Sequence, residues 1–229
     1  MRLSRILFAA ACLGFAAPAI AAETAVMAPP PALDQATPSE VQWIVLAGGC
    51  FWGVQGVYQH MKGVTSAVSG YSGGTRESAD YDRVSNGDTG HAEAVMVTFD
   101  PKVVSLGKVL QAYFSVVHDP TQLNRQGPDV GTQYRSAIFT TTDEQQRIAR
   151  EYIAQLDKAK VYSAPIVTKL SKLTAFYPAE AYHQDYATLH PTQPYIAYND
   201  LPKIENLSKL FPEVYREKPV LVGDGKPTN

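Results

Sequence analysis

Cysteine is scarce in this sequence: among 229 residues, only Cys12 and Cys50 carry a thiol. Cys12 lies within residues 1–22, a stretch with the composition of a cleavable signal. If that stretch is removed, Cys50 remains alone and an internal disulfide is excluded, although exported proteins commonly keep such bonds. A single thiol left in an exported protein is either reactive or deeply buried.

Acidic residues are absent from the beginning of the chain. Arg2 and Arg5 precede a mainly apolar run, 6–17, and a small-x-small pattern at 19–21 offers a cleavage site. The apolar run is too short for a convincing transmembrane helix. We therefore predict that residues 1–22 are an export signal peptide and that the protein is exported to a bacterial periplasm. The basic, acid-free start also suits a mitochondrial presequence, which is the alternative localisation.

An excess of charge of one sign is missing as well. Twenty Lys and Arg residues face 22 Asp and Glu residues, the formal net charge is -2, and no long basic run occurs. This balance argues against nucleic acid or an anionic membrane as the main partner. One cysteine and scattered histidines show no metal-ligand spacing, so we expect neither a metal nor a bound cofactor.

Internal repeats are also missing, and the length suits one domain with a substantial core. Residues 23–40 are rich in proline and alanine and read as a flexible linker. We expect the folded domain over 41–215 and a C-terminal tail over 216–229, in a chain that is a monomer. The order of strands and helices favours an α+β fold, an α/β sandwich with a mixed sheet flanked by helices.

Hydrophobic periodicity and capping residues predict the individual elements. Strands are expected over 43–47, 64–71, 91–99, 134–140 and 165–170. Helices are expected after Gly53 and over 105–118, 142–159, 179–189 and 203–210, with Ser105 and Thr142 as N-caps. These elements leave two polar loops, 72–90 and 121–132.

The stretch Gly48-Gly49-Cys50-Phe51-Trp52-Gly53 joins the first predicted strand to the first predicted helix. Cys50 falls at or near the helix N-terminus, where free backbone N–H groups and the helix dipole favour a thiolate. Two aromatic side chains follow it at once. Cys50 therefore has the position of a nucleophile beside an apolar pocket. The alternative is a small buried residue at a helix start.

A second candidate lies on the strand 91–99. Strand alternation places Glu93 on the same face as Val95, Val97 and Phe99. If that face meets the core, burial raises the pKa of the carboxyl, which then keeps a proton to donate near neutrality. If Glu93 lies at an exposed strand end, it is an ordinary solvated charge.

Three kinds of chemistry compete for Cys50. A cysteine hydrolase needs a histidine base with an orienting partner, and none of the five histidines has a diagnostic local context. His118, before Asp119-Pro120, more often caps a helix dipole in such a position. A thiol peroxidase usually frames its cysteine with proline, threonine and arginine, and nothing resembling that frame precedes Cys50. A metal site is the least expected.

An ordered set of motifs resembles the peptide methionine sulfoxide reductase A family. The set comprises Gly49-Cys50-Phe51-Trp52-Gly53, Gly70-Tyr71-Ser72-Gly73-Gly74, Tyr81, Gly87-Asp88-Thr89-Gly90-His91-Ala92-Glu93-Ala94-Val95, His118-Asp119-Pro120, Gly131-Thr132-Gln133-Tyr134-Arg135-Ser136 and His183-Gln184. The matches run from about Val45 to Tyr195, which is essentially the whole predicted domain. A pentapeptide alone is moderately specific, whereas this ordered set is highly specific.

The resemblance implies a reductase of the S epimer of methionine sulfoxide, free or in proteins. In that family Cys50 would attack the sulfoxide sulfur, giving a cysteine sulfenic acid and methionine. Glu93 would be the general acid that protonates the departing oxygen. The family fold is an α/β sandwich with a ferredoxin-like core, which agrees with the order of elements.

The resemblance also implies roles for five further residues. Tyr81 and Tyr134 would hydrogen-bond the substrate oxygen, and Asp129 matches a further polar carboxylate of the family's active site. Phe51 and Trp52 would form the apolar pocket for the substrate methyl group. A non-catalytic module that binds sulfoxide peptides is an alternative from another functional class.

Resolving cysteines, which many family members carry near the C-terminus, are absent after Cys50. We therefore hypothesise that an external thiol reduces the sulfenic acid. Thioredoxin, glutaredoxin or glutathione would serve, and a protein dithiol would act through a mixed disulfide.

Overall fold

The computed structural model describes residues 25–35 and 40–222. The predicted signal peptide, 1–22, and the last seven residues, 223–229, lie outside the described residues. The strands are β1 (Gln42–Ala47), β2 (Val64–Ser72), β3 (Ala92–Phe99), β4 (Arg125–Gln126), β5 (Asp129–Val130), β6 (Ala137–Thr140), β7 (Lys169–Lys172) and β8 (Phe176–Pro178). The helices are α1 (Phe51–Gln59), α2 (Tyr81–Val84), α3 (Leu106–Ala112), α4 (Asp143–Lys158), α5 (Tyr186–Leu189) and α6 (Leu201–Leu210). No helix in the described part of the chain is both long and apolar enough to cross a membrane.

Six strands form one mixed sheet in the order β7-β6-β1-β3-β2-β8. The β6–β7 pair is parallel, and the other neighbours are antiparallel. β4 and β5 form a separate short hairpin. The predicted α+β class, with a mixed sheet flanked by helices, is confirmed.

Strand alternation divides the central sheet into two buried faces. Ile44 and Leu46 of β1 share the larger core with Val95, Val97 and Phe99 of β3, where α1, α3, α4 and α6 pack. The residues between them on both strands face the smaller core, which Leu173 and Phe176 help to close. Burying each large aliphatic or aromatic side chain contributes roughly 1.5–3 kcal/mol. The face on which Glu93 was predicted to lie is therefore the principal core face.

Two helices begin at the predicted capping residues. The Ser105 hydroxyl accepts a hydrogen bond from the Lys108 backbone N–H at 3.1 Å, and Thr142 does the same for Gln145 at 3.1 Å. The Gln145 side chain in turn accepts from the Thr141 N–H at 2.9 Å. After α3 the chain continues as a π-helical turn, Tyr113–Val117, and stops at His118, as predicted.

Two predicted strands have different boundaries in the structure. Tyr134 lies in a 3-10 turn, Thr132–Tyr134, and the strand begins only at Ala137. Between them, the Arg135 guanidinium donates hydrogen bonds to the carbonyls of Gly90 and His91, which keeps this stretch out of the sheet. The strand predicted over 165–170 is displaced to β7, since only residues 169–172 pair with β6. Both differences come from contacts distant in sequence.

The helix predicted over 179–189 is also wrong, because it is broken at Asp185. This residue has a φ of 59°, which separates a 3-10 turn, Ala181–His183, from α5. The Asp185 N–H donates to Gln55 at 2.8 Å, and the Gln59 amide donates to the Asp185 carboxylate at 2.5 Å. These two contacts with α1 hold the chain in a left-handed conformation that periodicity does not predict.

The prediction of a flexible linker over 23–40 is wrong for residues 25–35, which dock against the domain. Ala28 is fully buried, and its N–H donates to the Ser115 hydroxyl at 3.1 Å. The Gln111 amide donates to the Ala28 carbonyl at 2.8 Å, and the Tyr152 hydroxyl donates to the Pro29 carbonyl at 2.6 Å. A proline-rich segment leaves its carbonyls without internal partners, so they can accept side-chain donors.

Candidate active site

A tight turn between β1 and α1 presents Cys50, as the sequence predicts. Gly49 has a φ of +89°, and a Cβ at this position would lie 2.7 Å from the Gln126 side chain. Glycine is therefore required on both backbone and steric grounds. Cys50 occupies the N-cap position of α1, and its residue is 8% exposed. Cys50 is thus a buried residue on a turn that packs against Gln126 of β4.

The electrostatics of this thiol differ from the sequence expectation. Burial raises the pKa of the Cys50 thiol well above its ordinary value, and the nearby charges of Asp200 and Glu93 raise it further. A hydrogen bond from the Trp52 backbone N–H lowers the pKa but does not offset these effects. The prediction that the helix start alone favours a thiolate is therefore wrong for the site without substrate, where Cys50 is a neutral thiol.

Glu93 lies on β3, next to the turn that presents Cys50, and is 2% exposed. Its Oε2 accepts a hydrogen bond from the Phe51 backbone N–H at 3.0 Å. Burial raises the pKa of this carboxyl to about 8, although the Phe51 hydrogen bond lowers it, and Asp129 and Asp200 add to the increase. A carboxyl with such a pKa is protonated at neutral pH, which is the state that a proton donor needs.

Two tyrosine hydroxyls face the same region. Burial raises the pKa of both Tyr81 and Tyr134, and in each case the charges of Glu93 and Cys50 add to the shift. Both phenols consequently remain protonated and can donate hydrogen bonds. The Tyr81 backbone is fixed by its N–H, which donates to the Glu180 carboxylate at 3.0 Å.

Asp129 lies at the start of β5, in the hairpin whose Gln126 packs against the turn that presents Cys50. Its Oδ2 accepts a hydrogen bond from the Tyr195 hydroxyl. Burial raises the pKa of Asp129, whereas this hydrogen bond and the positive charge of Lys203 lower it. The loop carboxylate predicted for the site is thus brought to it and tied to the chain segment before α6.

Phe51 and Trp52 belong to one aromatic cluster beside the sulfur. The Trp52 ring stacks on Tyr186 at 4.0 Å and meets the edge of Tyr195 at 6.1 Å. The Trp52 indole N–H donates to His183 Nδ1 at 3.2 Å, and the Phe51 ring lies 5.0 Å from the His183 ring. Phe51 is buried at the base of the cluster, whereas Trp52 is half-buried and forms its wall.

The structure brings all seven predicted site residues together and adds others. Tyr195, Tyr186 and His183 complete the aromatic cluster, and the fully buried Asp200 acts on the charge of Cys50. Sequence reasoning gave Tyr195, Tyr186 and Asp200 no role, and it considered His183 only as one of five candidate histidine bases and as part of the motif His183-Gln184. Asp200 precedes a leucine and a proline at a helix start, a pattern that normally indicates only a helix cap.

His118, a candidate for the base of a cysteine hydrolase, has a different place. Its Nε2 bonds to the Ser136 hydroxyl at 2.7 Å and its Nδ1 to the Tyr113 carbonyl at 3.2 Å. Burial lowers the pKa of His118 to about 3, so the ring is neutral. None of the hydrogen bonds in the described part of the chain joins a histidine to Cys50. Within residues 25–35 and 40–222, no three His, Cys, Asp or Glu side chains are grouped as for a metal ion.

Comparisons with known proteins agree with this arrangement. The model of the peptide methionine sulfoxide reductase family matches residues 42–214. A peptide methionine sulfoxide reductase, MsrA 2, of Mesorhizobium japonicum is 60% identical over 190 residues, which cover 83% of this chain and 97% of that protein. The structure of methionine sulfoxide reductase A of Corynebacterium diphtheriae superimposes with a TM-score of 0.60 at 32% identity, covering 68% of this chain and 77% of that one.

A second solved structure, reduced Mxr1 of Saccharomyces cerevisiae, has a TM-score of 0.63 at 32% identity and covers 71% of this chain and 92% of its own. The match to the family model extends from β1 through α6 and includes the catalytic turn and Glu93. The aligned regions cover between 77% and 97% of these relatives' own lengths. This chain therefore belongs to the peptide methionine sulfoxide reductase family of enzymes.

Proposed function

We propose that this protein reduces the S epimer of methionine sulfoxide, free or in proteins, by attack of Cys50 on the sulfoxide sulfur. One observation carries the proposal: the protonated Glu93 carboxyl is hydrogen-bonded to the backbone of Phe51, the residue next to the sulfur nucleophile. Nucleophile and proton donor are thus fixed relative to each other before substrate arrives. Membership of the family supplies the class of substrate.

The oxygen transfer can be written so that atoms and electrons balance. As the Cys50 sulfur bonds to the sulfoxide sulfur, Glu93 donates its proton to the sulfoxide oxygen and then takes the thiol proton. Transfer of the hydroxyl group to Cys50 breaks the sulfur–sulfur bond, which leaves a cysteine sulfenic acid and releases methionine. The cysteine sulfur loses two electrons and the substrate sulfur gains two. No cofactor is needed in this half-reaction.

The remaining site residues favour the transition state and one epimer. The protonated hydroxyls of Tyr81 and Tyr134 donate hydrogen bonds to the oxygen on which negative charge develops. The methyl group enters the aromatic cluster beside Trp52. Because the places of the oxygen, the methyl group and the attacking Cys50 sulfur around the sulfoxide sulfur are then assigned, only one configuration fits.

The second half-reaction requires a thiol from another molecule. The only other cysteine in the sequence is Cys12, within the proposed signal peptide. An incoming thiol attacks the sulfenic acid, water leaves, and a mixed disulfide forms; a second thiol then releases Cys50. Thioredoxin, glutaredoxin and glutathione are reductants of the right chemistry. We further propose that residues 1–22 direct export, to a bacterial periplasm or alternatively to mitochondria, and that the enzyme acts as a monomer.

Separate assays with the S and R epimers of a methionine sulfoxide peptide test the function. We expect methionine formation from the S epimer alone, in proportion to the reductant consumed, and its loss in Cys50→Ser. Without reductant, one equivalent of methionine should form, and a sulfenic acid probe should label Cys50. Release of a carboxylic acid from an ester or amide, with no reductant consumed, would indicate a cysteine hydrolase. Full turnover by Cys50→Ser would refute the proposal.

A further inference from the structure

A buried ion pair lies at the start of α6. Asp200 is fully buried, and its Oδ1 lies 3.5 Å from the Lys203 Nζ. Lys203 is only 8% exposed, so its charge is also largely removed from water. Two buried charges at this spacing carry a large desolvation cost, and removing one partner leaves the other uncompensated. The residues packed around this ion pair therefore indicate what the pair does.

The pair packs directly on the first turn of α1, the helix that begins after Cys50. A Cβ at Gly53, three residues after Cys50, would overlap Asp200 Oδ1 and lie 3.2 Å from Lys203 Cδ. The absence of a side chain at Gly53 thus lets a carboxylate lie against the helix end that presents the sulfur. Since α1 and α6 pack on each other, a substitution of either residue of the pair changes the packing and the charge next to this turn.

Charges at the two ends of the pair act on different groups. After burial, Asp200 is the largest cause of the raised pKa of Cys50, and it also contributes to the raised pKa of Glu93. Lys203 instead lowers the pKa of Asp129. The ionisable groups that face Cys50 are Asp200, Glu93, Asp129, Tyr81, Tyr134 and Tyr195. Lys203 is the cation that balances this acidic surrounding through its contact with Asp200.

We propose that Asp200 and Lys203 are positioning residues that together set how readily Cys50 ionises: Asp200 opposes loss of the thiol proton, and the positive charge of Lys203, 3.5 Å from the Asp200 carboxylate, offsets part of that opposition. The inference rests on the proposed sulfoxide reduction. Asp200 adds to the effect of burial in keeping Cys50 a thiol in the free enzyme, and Lys203 keeps the cost of ionisation low enough for attack on bound substrate.

The benefit of such control follows from the isolation of the thiol. Peroxide oxidises a thiolate to a sulfenic acid with release of water, and a second peroxide oxidises that to a sulfinic acid, a step that thiols do not reverse. The described chain offers no second cysteine to intercept the sulfenic acid as a disulfide. A site that ionises Cys50 only when substrate is bound avoids this loss.

The test is the pH dependence of Cys50 alkylation by iodoacetamide, followed by mass spectrometry of the Cys50 peptide in the full chain. We expect Asp200→Asn to lower the pH midpoint and speed alkylation at pH 7 by about threefold to tenfold, since one pKa unit changes the thiolate fraction about tenfold. Lys203→Met should raise the midpoint, and Lys203→Arg should keep it. In the Asp200→Asn background, Lys203→Met should again raise the midpoint, because the positive charge of Lys203 attracts the thiolate whether or not residue 200 is charged.

Two results would overturn the inference: a midpoint in Asp200→Asn that is unchanged or raised, or a midpoint in Lys203→Met that is unchanged or lowered. Circular dichroism identifies variants that do not fold. If Asp200→Asn does not fold, the comparison of Lys203→Met with Lys203→Arg decides the question. A midpoint that is raised in Lys203→Met but not in Lys203→Arg supports the inference, and equal midpoints refute it. Alkylation needs no sulfoxide. Failure of the proposed function, seen as no methionine from the wild-type enzyme, is therefore distinguishable from failure of this inference.

Discussion

The Phe51 backbone N–H donates a hydrogen bond to the Glu93 carboxyl at 3.0 Å, which joins the first residue of α1 to the buried acid of β3. Because Phe51 directly follows Cys50, this bond sets the position of the proton donor relative to the nucleophile. A carboxyl placed this way has one oxygen engaged with the backbone, and its other oxygen remains to carry a proton.

Replacement of Glu93 by glutamine tests the acid. The amide oxygen can still accept from Phe51, so the fold and substrate binding should be kept while the acidic proton is lost. We expect kcat to fall by about 10²–10⁴-fold with KM little changed, measured as methionine formed from the S epimer. Glu205→Gln, at an exposed carboxylate paired with Lys209 on α6, is the matched control and should behave as wild type. A kcat for Glu93→Gln within twofold of wild type would place the acid elsewhere.

The pH dependence of the oxygen-transfer step follows from the same carboxyl. Its pKa is raised to about 8, so Glu93 is protonated and active below that pH and loses its proton as the pH rises through it. Single-turnover methionine formation, initiated with saturating sulfoxide, should therefore decline above about pH 8. The declining limb should be absent from the residual activity of Glu93→Gln. A limb that persists unchanged in that variant would belong to another group.

Trp52 provides a test of the aromatic cluster. Trp52→Ala removes the stack on Tyr186, which is worth about 0.5–1.5 kcal/mol beyond the buried area. We expect KM for the sulfoxide peptide to rise by about threefold to tenfold, with a smaller change in kcat, and Trp52→Phe to retain most of the affinity. Trp43, the other tryptophan, is 40% exposed on β1, and Trp43→Ala serves as the control. A larger loss in kcat than in affinity would argue against a binding role.

Docking of the N-terminal segment should be measurable as stability. Tyr152→Phe deletes the hydroxyl that donates to the Pro29 carbonyl at 2.6 Å, and we expect a loss of about 1 kcal/mol in the free energy of unfolding by urea. Catalysis should be unaffected, because α4 contributes no residue to the site. Tyr198→Phe, at a 66% exposed tyrosine, should leave the stability unchanged. Equal stability of both variants and the wild type would show that segment 25–35 contributes little.

Local patterns carried much of the architecture and the main site residues. The helix start at Cys50, the face of Glu93 and the caps at Ser105 and Thr142 depend on neighbours within a few positions, and the structure has all of them. The break at Asp185 depends instead on Gln55 and Gln59 of a distant helix, which periodicity in the sequence does not encode.

The same distinction applies to the charge of the thiol. A helix N-terminus favours a thiolate through nearby backbone groups, and the sequence shows this effect. The opposing effects, burial together with the carboxylates of Glu93 and Asp200, come from β3 and from the residue before α6, so only the folded chain shows that they prevail. Asp200, more than a hundred residues from Cys50, has no local signal of its role.

The docked segment 25–35 also has a consequence for the order in which the chain folds. Its partners Gln111, Ser115, Tyr152 and Gln155 lie on α3, the turn that follows it, and α4. A chain synthesised from its N-terminus must therefore wait until α4 has emerged before its own beginning finds these contacts. The stretch of the domain that is made first can therefore complete its contacts only after Gln155 has been synthesised, so its docking depends on helices that are not yet present when it leaves the ribosome.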